Sequence, residues 1–468
     1  MSNDATTAPA RPAALPRTTP SAAGVDAAGV ERFLDAVQAH PDVELHSLVV
    51  VKDGAVVTEG WWAPYTPERQ HLLYSLSKSF TSTALGFAVA EGLVDLDATV
   101  LSYFPELDAD VTDERARSIR VRHVAAMASG HRTDVVAQAM ADETGDVLRG
   151  FLRLPPEEEP GSLFTYNQPC TFALSAVVQR VSGGTLTEFL RPRLLDPLGI
   201  GETGWITEER GREIGWSGFH VPTEAIAKLG LLYLQEGVYD GQRLLPAEWV
   251  AEATRTHVVP ADGNPDWTVG YGFQFWMARH GYRGDGAYGQ FCLVLPEAGA
   301  VVAITSQSPD MQAVLDAVWA HLLPALTAGA GSAAGEASLT ARLASGELAR
   351  PQGGPARFTE GSFAAAAGND QPGLVALDLR EGADGWDLVL HETGDDLVVA
   401  VAPEGWVVSG PVVTAAAAAP TGVLVDLVFV ETPHRLHLVL DTATQEFSAR
   451  WATTPLHGPP LADLQMPR

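Results

Sequence analysis

The order of strand-like and helix-like segments is the strongest constraint on the fold of this chain. Two β-rich runs, residues 45–51 and 55–62, are joined by an Asp-Gly turn and predict a hairpin. Residues 75–237 then carry mostly helical apolar spacing, broken by Gly and Pro. Strand-like runs return at residues 271–278, 291–295 and 300–306. We therefore expect one antiparallel sheet of about five strands, assembled from both ends of this segment, with flanking helices and a helical subdomain.

The two ends of the chain differ in character from this segment, which we bound at residues 26–326. The first 25 residues are rich in Ala, Pro and Thr and predict a disordered or loosely draped lead-in. An Ala- and Gly-rich stretch at residues 327–354 is typical of a flexible linker. Short β-like runs separated by turn residues fill residues 355–456 and predict a small all-β barrel or sandwich, followed by a tail at residues 457–468.

Charge and cysteine content exclude several classes of protein. The 468 residues include 58 acidic and 30 basic side chains, a net charge of −28, which argues against nucleic acid and anionic membranes as partners. No run of 18 apolar residues predicts a membrane span. The two cysteines, Cys170 and Cys292, cannot form a disulfide scaffold, so we expect a cytoplasmic protein. These features leave the oligomeric state open.

A serine and a lysine three residues apart carry the first chemical signal. The chain has only three lysines, and one of them, Lys78, follows Ser75 at the start of an apolar helical segment. This spacing places both side chains on one helical face. A nucleophilic serine needs a base, and a lysine serves when its surroundings lower its pKa from about 10.4. The S-x-x-K pattern alone is weak, because ordinary serine usage also produces it by chance.

Three further features support a catalytic site. The helix after Lys78 is apolar on nearly every face, and a lysine at the end of a buried helix is costly without a partner or a function. Tyr166 lies in a turn before another apolar helix, where it could relay a proton or simply pack. Residues 284–287, Gly-Asp-Gly-Ala, precede a strand, and the close backbone approach that glycine allows could complete an oxyanion hole. An ordinary glycine-rich turn is the alternative.

These motifs resemble those of a known superfamily. Ser75 and Lys78 match S-x-x-K, Tyr166 matches the tyrosine of Y-x-N, and Val121–Gly130 is similar to V-R-H-L-L-x-M-x-S-G. The chain thus resembles the serine β-lactamase and penicillin-binding-protein superfamily over residues 26–326. Within it, the class C β-lactamase-like branch also holds family VIII carboxylesterases, D-aminopeptidases and 6-aminohexanoate-oligomer hydrolases. The resemblance implies an α+β, β-lactamase/transpeptidase-like fold carrying an additional small all-β C-terminal domain.

The resemblance also implies roles for individual residues. Ser75 would be the nucleophile, Lys78 and Tyr166 its base, and the N–H groups of Ser75 and Ala287 the oxyanion hole, with no metal and no cofactor. Candidate substrate-binding residues are Gln168, Asp285, Gly286 and Tyr288.

Two departures from the family pattern bear on substrate choice. Gln168 replaces the asparagine of Y-x-N, and Gly284 stands where K-T-G would supply a lysine for a substrate carboxylate. An anionic β-lactam would therefore be held poorly.

The leading hypothesis is a serine hydrolase that cleaves a small neutral or cationic ester or amide through an acyl-enzyme. An acyl-transferring thioesterase of the penicillin-binding-protein type, a D-aminopeptidase and a weak β-lactamase are alternatives, as is a non-catalytic binding module. The His434-x-x-His437 pair in the all-β region is expected to lie on the surface and not to bind metal.

Overall fold

The computed structural model describes residues 14–329, 333–383 and 385–468. The helices of these ranges are α1 Ala27–Ala39, α2 Ser77–Ala90, α3 Glu114–Arg117, α4 Val121–Ala125, α5 Val136–Met140, α6 Val147–Arg153, α7 Gln168–Ser182, α8 Leu186–Leu190, α9 Thr223–Leu234, α10 Ala247–Ala253, α11 Met311–Ala317, α12 Leu323–Thr327 and α13 Ala333–Ala344. None of them is long and apolar enough to cross a bilayer.

The strands fall into two groups along the chain. Those of the N-terminal region are β1 Glu44–Lys52, β2 Ala55–Trp61, β3 His71–Leu72, β4 Gly204–Trp205, β5 Phe219–Val221, β6 Val238–Tyr239, β7 Gln242–Arg243, β8 Trp276–Met277, β9 Tyr282–Gly286, β10 Gln290–Leu295 and β11 Ala300–Gln307. Those of the C-terminal region are β12 Gly361–Ala365, β13 Leu374–Gly382, β14 Gly385–Glu392, β15 Asp396–Val401, β16 Val407–Ser409, β17 Val412–Ala419, β18 Gly422–Phe429, β19 Arg435–Asp441 and β20 Glu446–Trp451.

The central sheet is assembled from both ends of the N-terminal region, as predicted. Its strand order is β2-β1-β11-β10-β9-β8, and every neighbouring pair is antiparallel. The hairpin β1–β2 therefore joins the C-terminal strands through β11, in a register that pairs Val49 with Ala303. The helical insertion lies between the two contributions to the sheet. The predicted α+β fold class is confirmed.

The sheet has six strands and not the five expected, and the run predicted at residues 271–278 is broken. Gln274 has a left-handed backbone (φ +63°), and the N–H of Gly272 donates to the carbonyl of Phe275 at 2.8 Å. This reversal leaves only Trp276–Met277 extended, where it pairs with β9 as the edge strand β8. Apolar alternation does not reveal a reversal that depends on one backbone dihedral angle.

Alternation along the strands buries both faces of the central sheet. On β11, Val302 and Ile304 pack with α1 and α11, whereas Val301 and Ala303 face the opposite core beneath α9. Gly230 of α9 permits the helix to approach closely, because a Cβ there would lie 2.5 Å from Cγ1 of Val301.

Two segments expected to be disordered or flexible pack against the fold. Residues 1–13 of the predicted lead-in lie outside the described residues, but from Leu15 onward the chain runs beside β2, and the N–H of Thr18 donates to Val56 at 2.9 Å. The predicted linker contains α13, whose Leu339 is buried and whose Arg342 pairs with Asp35 of α1 at 2.8 Å. Both segments are rich in Ala, and this composition gives no sign of the few apolar contacts that hold them.

The C-terminal region is one mostly antiparallel sheet, β15-β14-β13-β12-β20-β19-β18-β17-β16, in which β12 and β20 are parallel. Its two ends meet, because Ala400 of β15 accepts a hydrogen bond from Thr414 at 2.7 Å and donates one to Ser409 at 2.8 Å. The sheet thus curls around an apolar interior as a barrel. This confirms the all-β prediction and selects the barrel over the sandwich.

The barrel packs directly on the N-terminal region. Val428 and Val430 belong to the same apolar cluster as Trp62 and Tyr65. The Tyr65 hydroxyl donates to the carbonyl of Thr432 at 2.9 Å. The tail also packs, since Met466 is 2% exposed. The outside of the barrel therefore shares an apolar cluster with the N-terminal region, whereas the barrel interior forms a cluster of its own.

We expect Gly230→Ala to destabilise the protein. Although alanine gains about 1 kcal/mol of helix propensity, the clash with Val301 costs about 1 to 3 kcal/mol. Urea unfolding measures the effect. Val301→Ala removes the obstructing methyl groups, so the double variant should lose less free energy of unfolding than the sum of the single variants. Simple additivity would contradict this packing.

Candidate active site

Ser75 lies in the turn that begins the central helix. The 3-10 turn Tyr74–Leu76 leads directly into α2, and every residue from Ser77 to Ala88 is buried. The hydroxyl of Ser77 accepts a hydrogen bond from the N–H of Phe219 at 3.1 Å, which ties the start of the helix to β5. The sequence prediction of a buried central helix is confirmed.

The amine of Lys78 lies in a closed polar environment. The side chain is 2% exposed. Its Nζ is 3.1 Å from Oγ of Ser75, 2.7 Å from Oε1 of Gln168 and 2.8 Å from the carbonyl oxygen of Trp216. The amine thus contacts one hydroxyl and two carbonyl oxygens.

Burial lowers the pKa of Lys78 to about 7, while Asp134 and Asp285 act in the opposite direction. A neutral amine has two N–H donors and one lone pair. The carbonyl oxygens of Gln168 and Trp216 can only accept, so they take the two N–H groups. The lone pair is then directed at the Ser75 hydroxyl, which is the geometry of a base that removes its proton.

Gln168 positions the amine. Its side-chain carbonyl accepts from Lys78, and its side chain also hydrogen-bonds to the carboxylate of Asp134. The backbone N–H of Gln168 donates to the same carboxylate at 3.2 Å. Because Gln168 is the first residue of α7, this helix start and the loop at Asp134 jointly fix the position of Lys78.

Tyr166 lies over the amine and is held by aromatic side chains. Nζ of Lys78 is 4.8 Å from the ring centroid. The ring stacks on Trp276 at 5.5 Å and meets the edge of Tyr271 at 6.3 Å, so these aromatics pack the tyrosine in place. Burial, and then the charge of Asp285, raise the pKa of Tyr166, whereas a hydrogen bond with the Ser75 hydroxyl lowers it. The phenol is therefore neutral at pH 7 and can relay a proton.

Two glycines let β9 lie directly against the turn that contains Ser75. A Cβ at Gly286 would lie 2.0 Å from the carbonyl oxygen of Leu73, and one at Gly284 would lie 2.4 Å from Oγ of Ser79. No side chain fits between this strand and the turn before Ser75. The approach brings the turn at Ala287, directly after β9, close to Ser75.

Two backbone N–H groups at this contact are available. In the part of the chain that the structure describes, the N–H groups of Ser75 and Ala287 donate to no protein acceptor. The turn around Ala287 is closed by the N–H of Gly289, which donates to Gly286 at 3.1 Å. A pair of unused N–H groups beside a serine hydroxyl can stabilise a developing oxyanion.

A buried ion pair occupies the outer part of β9. Arg283 is fully buried and donates through Nε to Asp285 at 3.0 Å. Asp285 is 7% exposed and also hydrogen-bonds to the side chain of Trp276. Asp285 therefore neutralises Arg283 and is not a free ligand for substrate.

The family model described as Beta-lactamase matches residues 30–325, more than half of the chain. The chain belongs to the β-lactamase family. This agrees with the predicted resemblance and places the chain among the hydrolases of the serine β-lactamase family.

Related proteins match different portions of the chain. The 6-aminohexanoate-dimer hydrolase of Paenarthrobacter ureafaciens is 26% identical over 294 residues, covering 56% of this chain and 73% of that protein. The lovastatin esterase of Penicillium rubens is 29% identical over 150 residues, covering 27% of this chain and 37% of that esterase. The structure of SurE with D-Leu matches with a TM-score of 0.50 at 21% identity, covering 86% of this chain and 97% of SurE. The last match extends into the barrel.

The structure shows which site residues sequence patterns missed in this β-lactamase family member. Local spacing predicted Ser75 and Lys78, because three residues along a helix fix their separation. No sequence signal marked the Trp216 carbonyl or Asp134, which come from distant loops. Arg283 stands two residues before Asp285, and this opposite-charge spacing could have suggested their pairing if the segment had been recognised as a strand, because alternate residues of a strand lie on one face.

We expect Gly286→Ala to destabilise the protein more than Gly284→Ala. The new methyl group would meet the backbone carbonyl of Leu73 in the first variant, but only the side chains of Ser79 and Leu76 in the second. Side chains can rotate away, whereas this backbone is fixed, and an overpacked site costs about 1 to 3 kcal/mol. Urea unfolding of the matched pair tests this, and equal losses would contradict the close backbone approach.

Proposed function

We propose that this protein hydrolyses a small ester or amide through an acyl-enzyme on Ser75. The observation that carries the proposal is the arrangement around Lys78, whose two N–H groups are taken by carbonyl oxygens while its lone pair faces the Ser75 hydroxyl. With the pKa of Lys78 near 7, a large fraction of the enzyme holds this base form at neutral pH. The covalent route is that of an activated serine nucleophile.

The reaction proceeds in two halves. Oγ of Ser75 attacks the substrate carbonyl carbon while its proton passes to Nζ of Lys78, and the N–H groups of Ser75 and Ala287 hold the oxyanion. Collapse breaks the bond to the leaving group, which takes the proton from Lys78 through Tyr166. Water then attacks the acyl carbon, its proton passes to the same Lys78, and the acid leaves as Oγ recovers that proton.

The charge of the site supports a neutral or cationic substrate. Gly284 supplies no cation at the K-T-G position, and the nearby Arg283 is buried and paired with Asp285. Nothing at this strand therefore offers a free positive charge to a substrate carboxylate. Relatives named as a 6-aminohexanoate-dimer hydrolase and a lovastatin esterase support the reaction class.

A substrate screen tests the proposal. We expect turnover of p-nitrophenyl esters of short acyl chains, slower turnover of nitrocefin, and none of either by Ser75→Ala. D-amino-acid amides are screened beside them. A fluorophosphonate should label Ser75 in the native protein. Absence of both labelling and turnover would favour a binding module, and nitrocefin turnover faster than that of every ester would overturn the assignment against β-lactams.

Exchange of Lys78 for arginine should abolish activity. Arginine keeps the charge but cannot lose its proton at a useful pH, so kcat/KM should fall by about 10² to 10⁴-fold. Lys228→Arg is the matched control: Lys228 is 6% exposed and pairs with Glu224 at 3.1 Å, a role that arginine can fill. Comparable losses in both variants would show that the effect is structural.

The pH profile should report the titration of Lys78. Below pH 7 the amine is protonated and cannot accept the Ser75 proton, so kcat/KM should rise with pH and level off above an inflection near 7. Asp134→Asn removes a charge that favours the protonated amine, which should shift the inflection to lower pH. Asp97→Asn, in a surface pair with Arg122, should not move it. If the inflection stays at the same pH in Asp134→Asn, Lys78 is not the group whose titration produces it.

Acyl transfer is a second candidate, favoured by the position of the barrel. The carbonyl of Thr454, just after the last barrel strand, accepts a hydrogen bond from Tyr288, the residue after Ala287. This contact places the barrel at the edge of the site, where it could select an acyl acceptor other than water. Ester turnover in the presence of methanol or simple amines, with products identified by mass spectrometry, measures the partition. Transfer products in excess of acid would favour this candidate.

A further inference from the structure

Both N–H groups at the nucleophile adjoin a tyrosine with an unusual backbone. Eight non-glycine residues in the described ranges have positive φ. Two of them are Tyr74 (φ +48°), directly before Ser75, and Tyr288 (φ +65°), directly after Ala287. Side chains disfavour this left-handed conformation, so it persists only where other contacts hold it.

The contact that holds Tyr74 comes from the barrel. The Tyr74 hydroxyl is hydrogen-bonded to Nε2 of His434. Nδ1 of the same ring lies 3.0 Å from the carbonyl oxygen of Thr453, which can only accept, so Nδ1 carries the proton. Burial lowers the pKa of His434 to about 4, which keeps the ring neutral. Nε2 is therefore an acceptor, and Tyr74 donates to it.

His434 is fully buried, which corrects the expectation that the His434-x-x-His437 pair lies on the surface. His437 is the exposed member, with 42% of its side chain accessible. The two differ because His434 lies before β19, on the face that the barrel presents to Tyr74. His434 lies on the outside of the barrel, and it is buried because the barrel packs on the N-terminal region.

Tyr288 is held by two sets of contacts: its carbonyl accepts hydrogen bonds from the N–H of Ser308 at 2.9 Å and the hydroxyl of Ser306 at 2.8 Å, and its phenol contacts the same part of the barrel. Its hydroxyl donates to the carbonyl of Thr454 at 2.6 Å. The backbone of Leu456 also hydrogen-bonds to the Tyr74 phenol. We call residues 453–456 the strap. The rings of Tyr74, Tyr288 and His434 pack edge to face, with centroids 5.4 to 5.8 Å apart.

The two tyrosines control how the adjacent N–H groups point. The N–H of Ser75 belongs to the same rigid peptide plane as the carbonyl of Tyr74, so the backbone angles of Tyr74 set its direction. Tyr288 fixes the turn that carries the N–H of Ala287. An oxyanion hole is effective only when its donors are oriented in advance.

We propose that the barrel is a working part of the active site: His434 and the strap anchor the phenols of Tyr74 and Tyr288 and so orient the Ser75 and Ala287 N–H groups. This inference rests on the proposed function of Ser75. His434, Tyr74 and Tyr288 are positioning residues, since each acts through the backbone next to it. The barrel then serves catalysis without contributing a group to the chemistry.

The test removes one phenol hydrogen bond at a time from the intact chain. Tyr74→Phe and Tyr288→Phe each delete a hydroxyl at the interface with the barrel. Tyr65→Phe is the matched control, because its buried hydroxyl also donates to the barrel, at Thr432, but adjoins neither N–H group. Thermal unfolding should change similarly in Tyr74→Phe and Tyr65→Phe, whose hydroxyls make buried hydrogen bonds, and less in Tyr288→Phe, whose hydrogen bond is exposed.

Kinetics with the fastest p-nitrophenyl ester should separate them. We expect kcat to fall about tenfold in Tyr74→Phe and Tyr288→Phe with KM nearly unchanged, and less than twofold in Tyr65→Phe. His434→Leu should match Tyr74→Phe, whereas His434→Gln, which retains an acceptor, should recover most of kcat. Equal kcat in the three tyrosine variants would overturn the proposal.

Hydrogen–deuterium exchange gives a readout that does not depend on turnover. Peptides covering residues 73–77 and 286–290 should exchange faster in His434→Leu and in Tyr288→Phe, respectively, than in Tyr65→Phe. If these peptides exchange no faster than in Tyr65→Phe, the barrel does not orient the two N–H groups, even if the enzyme is active. Conversely, an inactive wild-type protein with the expected exchange would reject the proposed function and leave the anchoring supported.

Discussion

The burial of one amine organises the site. Lys78 lies at the start of a helix that is buried from Ser77 to Ala88, and removal of its charge from water would be costly if the charge persisted. The protein lowers that cost by favouring the neutral amine and by giving its two N–H groups the carbonyl oxygens of Gln168 and Trp216. The same arrangement that satisfies the buried group leaves its lone pair on the Ser75 hydroxyl, so packing and reactivity have one physical origin.

The parts that surround this amine are brought together by close backbone approach. Gly286 lets β9 contact the turn before Ser75 where no side chain would fit. This contact places two unused N–H groups beside the Ser75 hydroxyl. The buried pair of Arg283 and Asp285 keeps the strand neutral as a unit, although each charge alone would be unfavourable there. The strand β9 thus sets both the backbone geometry and the charge beside Ser75.

The barrel completes this arrangement from outside the family fold. It shares an apolar cluster with the N-terminal region and contacts the tyrosines beside Ser75 and Ala287 through His434 and the strap. Left-handed backbone at Tyr74 and Tyr288 is disfavoured in isolation, and the phenol contacts with the barrel add to the backbone hydrogen bonds at these residues. A domain that is absent from the matched family segment therefore bears on the chemistry of that segment.

The sequence by itself determined the elements whose signals are local. Helical spacing fixed the pairing of Ser75 with Lys78, and strand periodicity interrupted by a long helical run fixed a sheet assembled from two ends. Only the tertiary structure decided three other features: the contact of the Trp216 carbonyl with the amine, the reversal at Gln274 and the burial of His434. Each of these depends on a contact between residues far apart in the chain or on a single backbone angle, and neither leaves a periodic trace in the amino-acid order.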